Sequence, residues 1–398
     1  MKRRGFLRSA SAAVVAVALV WGNPAAGFAY ADRKRWHAGG PGSPGQEKWS
    51  VLAAVTYENL SVFPVVARQT VDTSGFTTLD EALASGDVLV SERGSDILRR
   101  TRDGRALPVQ GGSASVNQLV LINRGSKPLL LLSGEVVSGG KQDRIIAKDR
   151  IVRPGSEPLP LDVFCVEHGR WSGASMQFSA ATLMVHPSVR EKAAVDKKQD
   201  EVWAAVRSGT TSTTGSGGGV GGGIAAGKAA PEAAPPITAQ TLQSVITVEA
   251  QSESYDKIYN RSRVGKSVDA FTAEISRRFE KATAGLKGEH VIGVVVAYGG
   301  EVAWGDVFAS EQFFRVYWPK LLKSYVVEAL ARPRSIERAS LDDAREFLEP
   351  LAGRENIESE PRVYRLRQVT EGRYSEIEIT ALAPKTVALH WVKIHRTS

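Results

Sequence analysis

The chain has 398 residues, a formal net charge of +8 and one cysteine, Cys165, so an intramolecular disulfide is excluded. Its 42 % apolar and 24 % charged content is that of a globular protein. Half of the net charge sits in Lys2, Arg3, Arg4 and Arg8, and the mild remainder does not form the clustered basic face of a nucleic-acid footprint, so no nucleic-acid partner is expected.

The opening Met1-Lys2-Arg3-Arg4-Gly5-Phe6-Leu7-Arg8 resembles the twin-arginine export signal. An uncharged, alanine-rich run follows over residues 9–22, shorter than the ~20 apolar residues of a membrane span. Ala29-Tyr30-Ala31 then offers the small-x-small pattern that signal peptidase reads. The resemblance implies a signal peptide over residues 1–31, cleaved near Ala31, and the twin-arginine translocase as partner during export. It places the mature, pre-folded chain in the periplasm or outside the cell. An uncleaved anchor is the alternative, and the length of the run disfavours it. No other stretch is long and apolar enough to span, so the mature chain is expected to carry no stable transmembrane segment.

Residues 32–47, rich in Gly, Pro and charge, read as a flexible leader, and residues 48–398 as a single α+β domain. Strands are predicted over residues 50–57 and 59–64, the second ended by Pro64. A short helix over 78–85 has Thr78 as its cap, with Glu81 three residues on completing a capping box. Further strands are predicted over 87–92, 116–123, 129–137, 142–146 and 162–167. Residues 188–206 read as one amphipathic helix capped by Ser188 with Glu191. Residues 208–236 are low-complexity Thr/Ser, Gly, then Ala/Pro, and read as a disordered loop. Within it Gly222 to Lys228 mimics a phosphate-binding loop, but Ala229 replaces the magnesium-binding hydroxyl and no strand precedes it. Residues 238–285 are helical in spacing. Residues 291–298 and 301–308 form a hairpin turned by Gly299-Gly300, and the next helix is predicted to begin at Pro319. Strands over 376–382 and 386–394 close the chain, either extending the same sheet or forming a small appended unit. The expected fold is α+β: a mainly antiparallel sheet or sandwich core with helices packed on one side.

The densest functional-looking stretch runs from Leu132-Ser-Gly-Glu-Val-Val-Ser-Gly-Gly-Lys-Gln-Asp-Arg144 through Pro154-Gly155-Ser156 to Cys165-Val-Glu-His-Gly-Arg-Trp171. It is similar to the domain family named for its association with ADP-ribosylglycohydrolases and rhodanese-phosphatase proteins. Residues 58–64, 199–203 and 318–325 share the similarity, which covers most of residues 50–330. The family's name implies a genomic neighbourhood rather than a reaction. The glycine loop and the export signal look like departures from it.

Two readings of this stretch stand side by side. If Gly139-Gly140 is a two-residue turn, Glu135 faces Arg144 across the strands as a simple charge pair. Alternatively Gln142 and Arg144, two apart on one strand face, join His168, Arg170 and Trp171 in binding an anionic ligand. In that case Glu135 and Glu167 are the candidate catalytic carboxylates. Cys165 lies in an apolar run and reads as a packing residue rather than a nucleophile. The histidines lack metal-ligand spacing, so no metal is assigned, and the sequence names no cofactor. Two function classes remain open: an enzyme or binding domain for an anionic small molecule, phosphorylated or ADP-ribose-like, and a non-catalytic interaction module of the cell envelope.

Overall fold

The apolar alternation of this sequence resolves into two β assemblies that meet along a seam. The computed structural model describes residues 49–92, 98–100, 106–108, 118–168, 177–209, 237–251 and 253–396. All of these belong to one compact unit, residues 40–398. The signal, the leader and the phosphate-loop mimic lie outside the described residues.

The larger assembly is a nine-stranded antiparallel sheet. Its order runs Trp49–Val51, Leu60–Ala67, His290–Tyr298, Glu301–Phe308, Val387–His395, Tyr374–Ala381, Tyr364–Glu371 and Arg354–Glu360, with Val55–Tyr57 also paired to Leu60–Ala67. The C-terminal strands therefore extend the main sheet. The predicted hairpin is present, with Tyr298 opposite Glu301 and Gly299 in the left-handed region. The strand containing Pro64 does not stop there but continues to Ala67. The neighbouring chain is interrupted between Val51 and Val55, opposite this proline, where Leu52 N–H donates to the Pro64 carbonyl. The missing proline N–H faces that interruption, so no ladder bond is lost.

The smaller assembly is a closed six-stranded barrel of Glu135–Gly139, Arg144–Ile146, Leu159–Cys165, Gln118–Asn123, Val88–Glu92 and Gln177–Met184. Val90, Leu121, Val137, Ile146, Val163 and Phe178 fill its interior. The expected continuous strand over 129–137 is broken into Leu129–Leu131 and Glu135–Gly139 by a turn at Gly134, whose φ is +89°. The 139–140 turn is also wider than expected. Val137 pairs with Arg144 and Val136 with Ile145, so Glu135 does not face Arg144. The side chain of Asp143 braces this wider turn, accepting from Ser138 Oγ (2.7 Å) and Gly139 N (3.3 Å).

The fold is α+β with mainly antiparallel sheets, as the alternation implies. Helices Arg263–Thr283 and Glu311–Ala331 cover the sheet face that carries Val294, Trp304 and Phe308. The helix Leu341–Phe347 covers the opposite face through Ala344 and Phe347, so the helices are not confined to one side. Its Ser340 cap and the predicted Thr78–Glu81 capping box are both formed. The long helix starts at Glu311, capped by Ser310, and runs through Pro319 instead of starting there. Burial of Phe313, Phe314, Tyr317, Leu321 and Tyr325 outweighs the ~3 kcal/mol cost of an interior proline. The expected helix over 188–206 is two: Pro187–Glu191 continues into a π segment, Lys192–Asp196, and Lys197 at φ 56° ends it before Gln199–Ser208 begins. Ser188 is not a cap, because its hydroxyl donates to Glu328 (2.6 Å).

Candidate functional site

The sequence-predicted site residues divide between two places. Arg144 opens its barrel strand, lies directly opposite Val137 and Cys165, and is 4 % exposed. Its guanidinium donates to Gln142 Oε1 (3.3 Å), and both side chains are buried. Glu167 joins them through the Asp143 N–H, which donates to its Oε2 (3.1 Å). Burial lowers the Arg144 pKa from its ordinary value, while Cys165, Glu92, Asp143 and Glu167 oppose that shift. An added anion would therefore enter a place already supplied with acidic groups. Cys165 is fully buried, as its apolar neighbours imply. His168 is paired through its backbone to Glu253. Arg170 and Trp171 lie outside the described residues.

Glu135 belongs to a different network. It is 1 % exposed and accepts from Lys320 Nζ (2.5 Å) and from Leu132 N (2.7 Å). Lys320, on the long helix, also reaches Asp80 (3.0 Å) and lies over the Tyr317 ring. Burial pushes the Glu135 carboxyl above its usual range, against the pull of Lys320. The partner of Glu135 is thus a helical lysine 185 residues away, not Arg144.

The most developed constellation lies where the barrel meets the sheet. Successive cross-strand pairs carry one row across five strands: Asn356, Gln368, Ile377, Val392 and Asp306. Glu358, Leu366, Ile379, His390 and Phe308 form the next row on the same face. The period of two therefore grades this face from polar side chains at the outer edge, through an apolar floor, to buried charge at the inner end. The opposing wall is Ser133, Lys148 and Asp149 from barrel loops, with Arg190 and Ala194 from the helix and π segment and Lys197 just beyond it. Between them is a narrow cavity of about 30 Å³, enough for little more than a water or a small ligand group.

At the inner end Asp306 is fully buried. Arg190 grips it bidentately (3.0 and 3.0 Å), Trp304 Nε1 donates to it (2.7 Å), and the Tyr325 hydroxyl also donates. His390 Nε2 bonds Asp306 Oδ1 (3.0 Å) and its Nδ1 bonds Asp149 Oδ2 (2.6 Å). Asp149 Oδ1 accepts from Ser133 N (2.8 Å). Burial alone would lower the His390 pKa, but Asp149 and Asp306 overcome it and raise it to about 9. Burial likewise opposes ionisation of Asp306, yet Arg190 and His390 hold its carboxyl well below the usual range. The result is two buried cations alternating with two buried carboxylates. Gly134 makes the approach of Arg190 feasible: a Cβ there would stand 2.5 Å from Arg190 Cγ.

Toward solvent, Lys148 Nζ donates to both Glu358 oxygens (2.7 and 2.8 Å). Lys197 makes no hydrogen bond or ion pair through its ammonium group among the described residues. Both ring nitrogens of the buried His390 are occupied, and Ser133 Oγ donates to the Ala147 carbonyl (3.1 Å). The groups left facing the cavity are thus suited to holding charge rather than to nucleophilic attack. Among the described residues no group of three or more His, Cys, Asp or Glu is arranged to hold a metal ion. No described helix is long and apolar enough to cross a membrane.

Asp149, Arg190, Asp306 and His390 escaped the sequence analysis. A signal did exist for two of them: Asp306 and His390 interrupt apolar strands, and charged groups are seldom fully buried without partners. A family model described as the ARG and Rhodanese-Phosphatase-superfamily-associated Protein domain matches residues 48–394. No curated protein and no solved structure matches the chain.

Proposed function

The chain belongs to the ARG and Rhodanese-Phosphatase-superfamily-associated Protein domain family, and from that premise we propose that it is an exported protein that binds an anionic small molecule. The ligand's carboxylate or phosphate enters the seam between barrel and sheet. One observation carries this reading: of the basic groups lining this narrow cavity, Arg190 is paired with Asp306 and Lys148 with Glu358, while Lys197 makes no ion pair through its ammonium group among the described residues, which leaves a positive charge for an anion. The apolar floor of Leu366, Ile377, Val392 and Ile394 suits the ligand's non-polar part.

Thermal denaturation of the mature chain against acetate, inorganic phosphate and ADP-ribose tests the proposal. A ligand at 100 times its Kd adds about 2.7 kcal/mol, which moves the midpoint by several degrees. Lys197→Gln should unfold like the parent without ligand and lose most of the shift. A flat response to all three ligands would sink the reading and favour a non-catalytic interaction module of the envelope.

Export by the twin-arginine route is part of the proposal, supported by Arg3-Arg4 and by Ala29-Tyr30-Ala31. The parent chain should be recovered outside the cytoplasm, shortened near Ala31. An Arg3→Lys/Arg4→Lys variant should stay inside at full length. Equal export of the two would refute the assignment.

A further inference from the structure

Resting on the binding reading above, we infer that Glu358 is an internal stand-in for the ligand's carboxylate, and that ligand enters by taking its place on Lys148. Lys148 projects from the barrel side of the seam and Glu358 from the outermost strand of the sheet, Arg354–Glu360. Their contact therefore spans the mouth of the cavity. Lys148 donates to both oxygens of a single carboxylate, the arrangement an incoming carboxylate would need. A cavity of about 30 Å³ does not hold a whole metabolite, so the mouth must open for one to enter.

The Glu358 side chain is the piece free to move. It is 45 % exposed, against 24 % for Lys148, and its strand is exposed over nearly its whole length. An ion pair that exposed is weak, because water screens it and two long side chains must be ordered to form it. Exchanging the Glu358 carboxylate for a ligand carboxylate therefore costs little and keeps Lys148 paired throughout. Once Glu358 has swung out, Lys148 and Lys197 both serve the ligand, whereas Glu358 in place partly cancels them. The Tyr364 hydroxyl, 3.3 Å from Glu358 Oε1, is a further bond that the exchange gives up. Asp162, 3.7 Å from Lys148, is a weaker competitor than Glu358.

The test is titration of the full mature chain with acetate at constant ionic strength, read as a shift of the unfolding midpoint, for four proteins: parent, Glu358→Gln, Lys148→Met and Lys197→Gln. Glu358→Gln removes the competing charge and should bind acetate about fivefold more tightly, equivalent to about 1 kcal/mol. Lys148→Met should lose binding. Midpoints without acetate show that each variant folds. If the parent binds acetate, Lys197→Gln weakens it and Glu358→Gln leaves it unchanged, the exchange is overturned while the binding reading survives. A clear preference of Glu358→Gln for inorganic phosphate over acetate overturns the carboxylate assignment. Absence of acetate binding in all four proteins overturns both the exchange and carboxylate binding at the seam.

Discussion

Asp306→Asn is expected to destabilise the fold by about 3–5 kcal/mol, the cost of removing one partner from a buried charge network. The carboxylate accepts from Arg190, His390, Trp304 and Tyr325 at a place with no solvent exposure. An amide of the same shape removes the charge that compensates Arg190 and His390, and its NH₂ group cannot accept. Against a total stability of roughly 5–15 kcal/mol for a typical protein, such a loss is large. Urea denaturation of parent and variant at pH 7 measures it directly. A difference below about 1 kcal/mol would mean that the seam is held by apolar packing and that the charges are incidental.

Two buried histidines, His186 and His390, are expected to give opposite limbs to the stability–pH profile, with its maximum near pH 6.5. For His390 the folded-state pKa is raised to about 9 by Asp149 and Asp306 in spite of burial. Its stabilising contribution is complete below the unfolded value of about 6.5 and is lost as pH rises through 9, amounting to about 3 kcal/mol. His186 behaves in reverse. Burial lowers its pKa to about 4, outweighing the opposing pull of Glu328. The unfolded chain takes up the proton below 6.5 while the folded chain does not, so stability present above 6.5 is lost as pH falls toward 4, by a similar ~3 kcal/mol. Unfolding free energies at pH 5, 6.5 and 9 check both limbs. His390→Asn should flatten the alkaline limb and leave the acid one. His186→Asn should do the opposite. An alkaline limb that persists unchanged in His390→Asn would assign the loss to other groups.

Much of the local structure was legible because its causes are local. The Thr78–Glu81 capping box, the 298–301 hairpin turn and the alternating C-terminal strands depend on residues a few positions apart, and each is where those residues place it. The α+β class and the burial of Cys165 followed from the same short-range patterns. The strand Arg354–Glu360 escaped notice because it is an exposed outer strand with no apolar alternation to reveal it. Closure of the barrel and the wide turn braced by Asp143 were decided by pairing among distant segments. The partners of the buried charges were decided in the same way. Glu135 and Arg144 look like neighbours along the chain, yet the one meets Lys320 and the other lies beside Cys165 and bonds Gln142. Asp306 meets Arg190 and His390 only because paired strands carry 306 and 390 as diagonal neighbours on one sheet face and the chain fold brings the helix that holds 190 to them. Periods, caps and turns are written within a few residues of chain. The partner of a buried charge is set by whichever strands and helices pack together, and only the tertiary structure decides that.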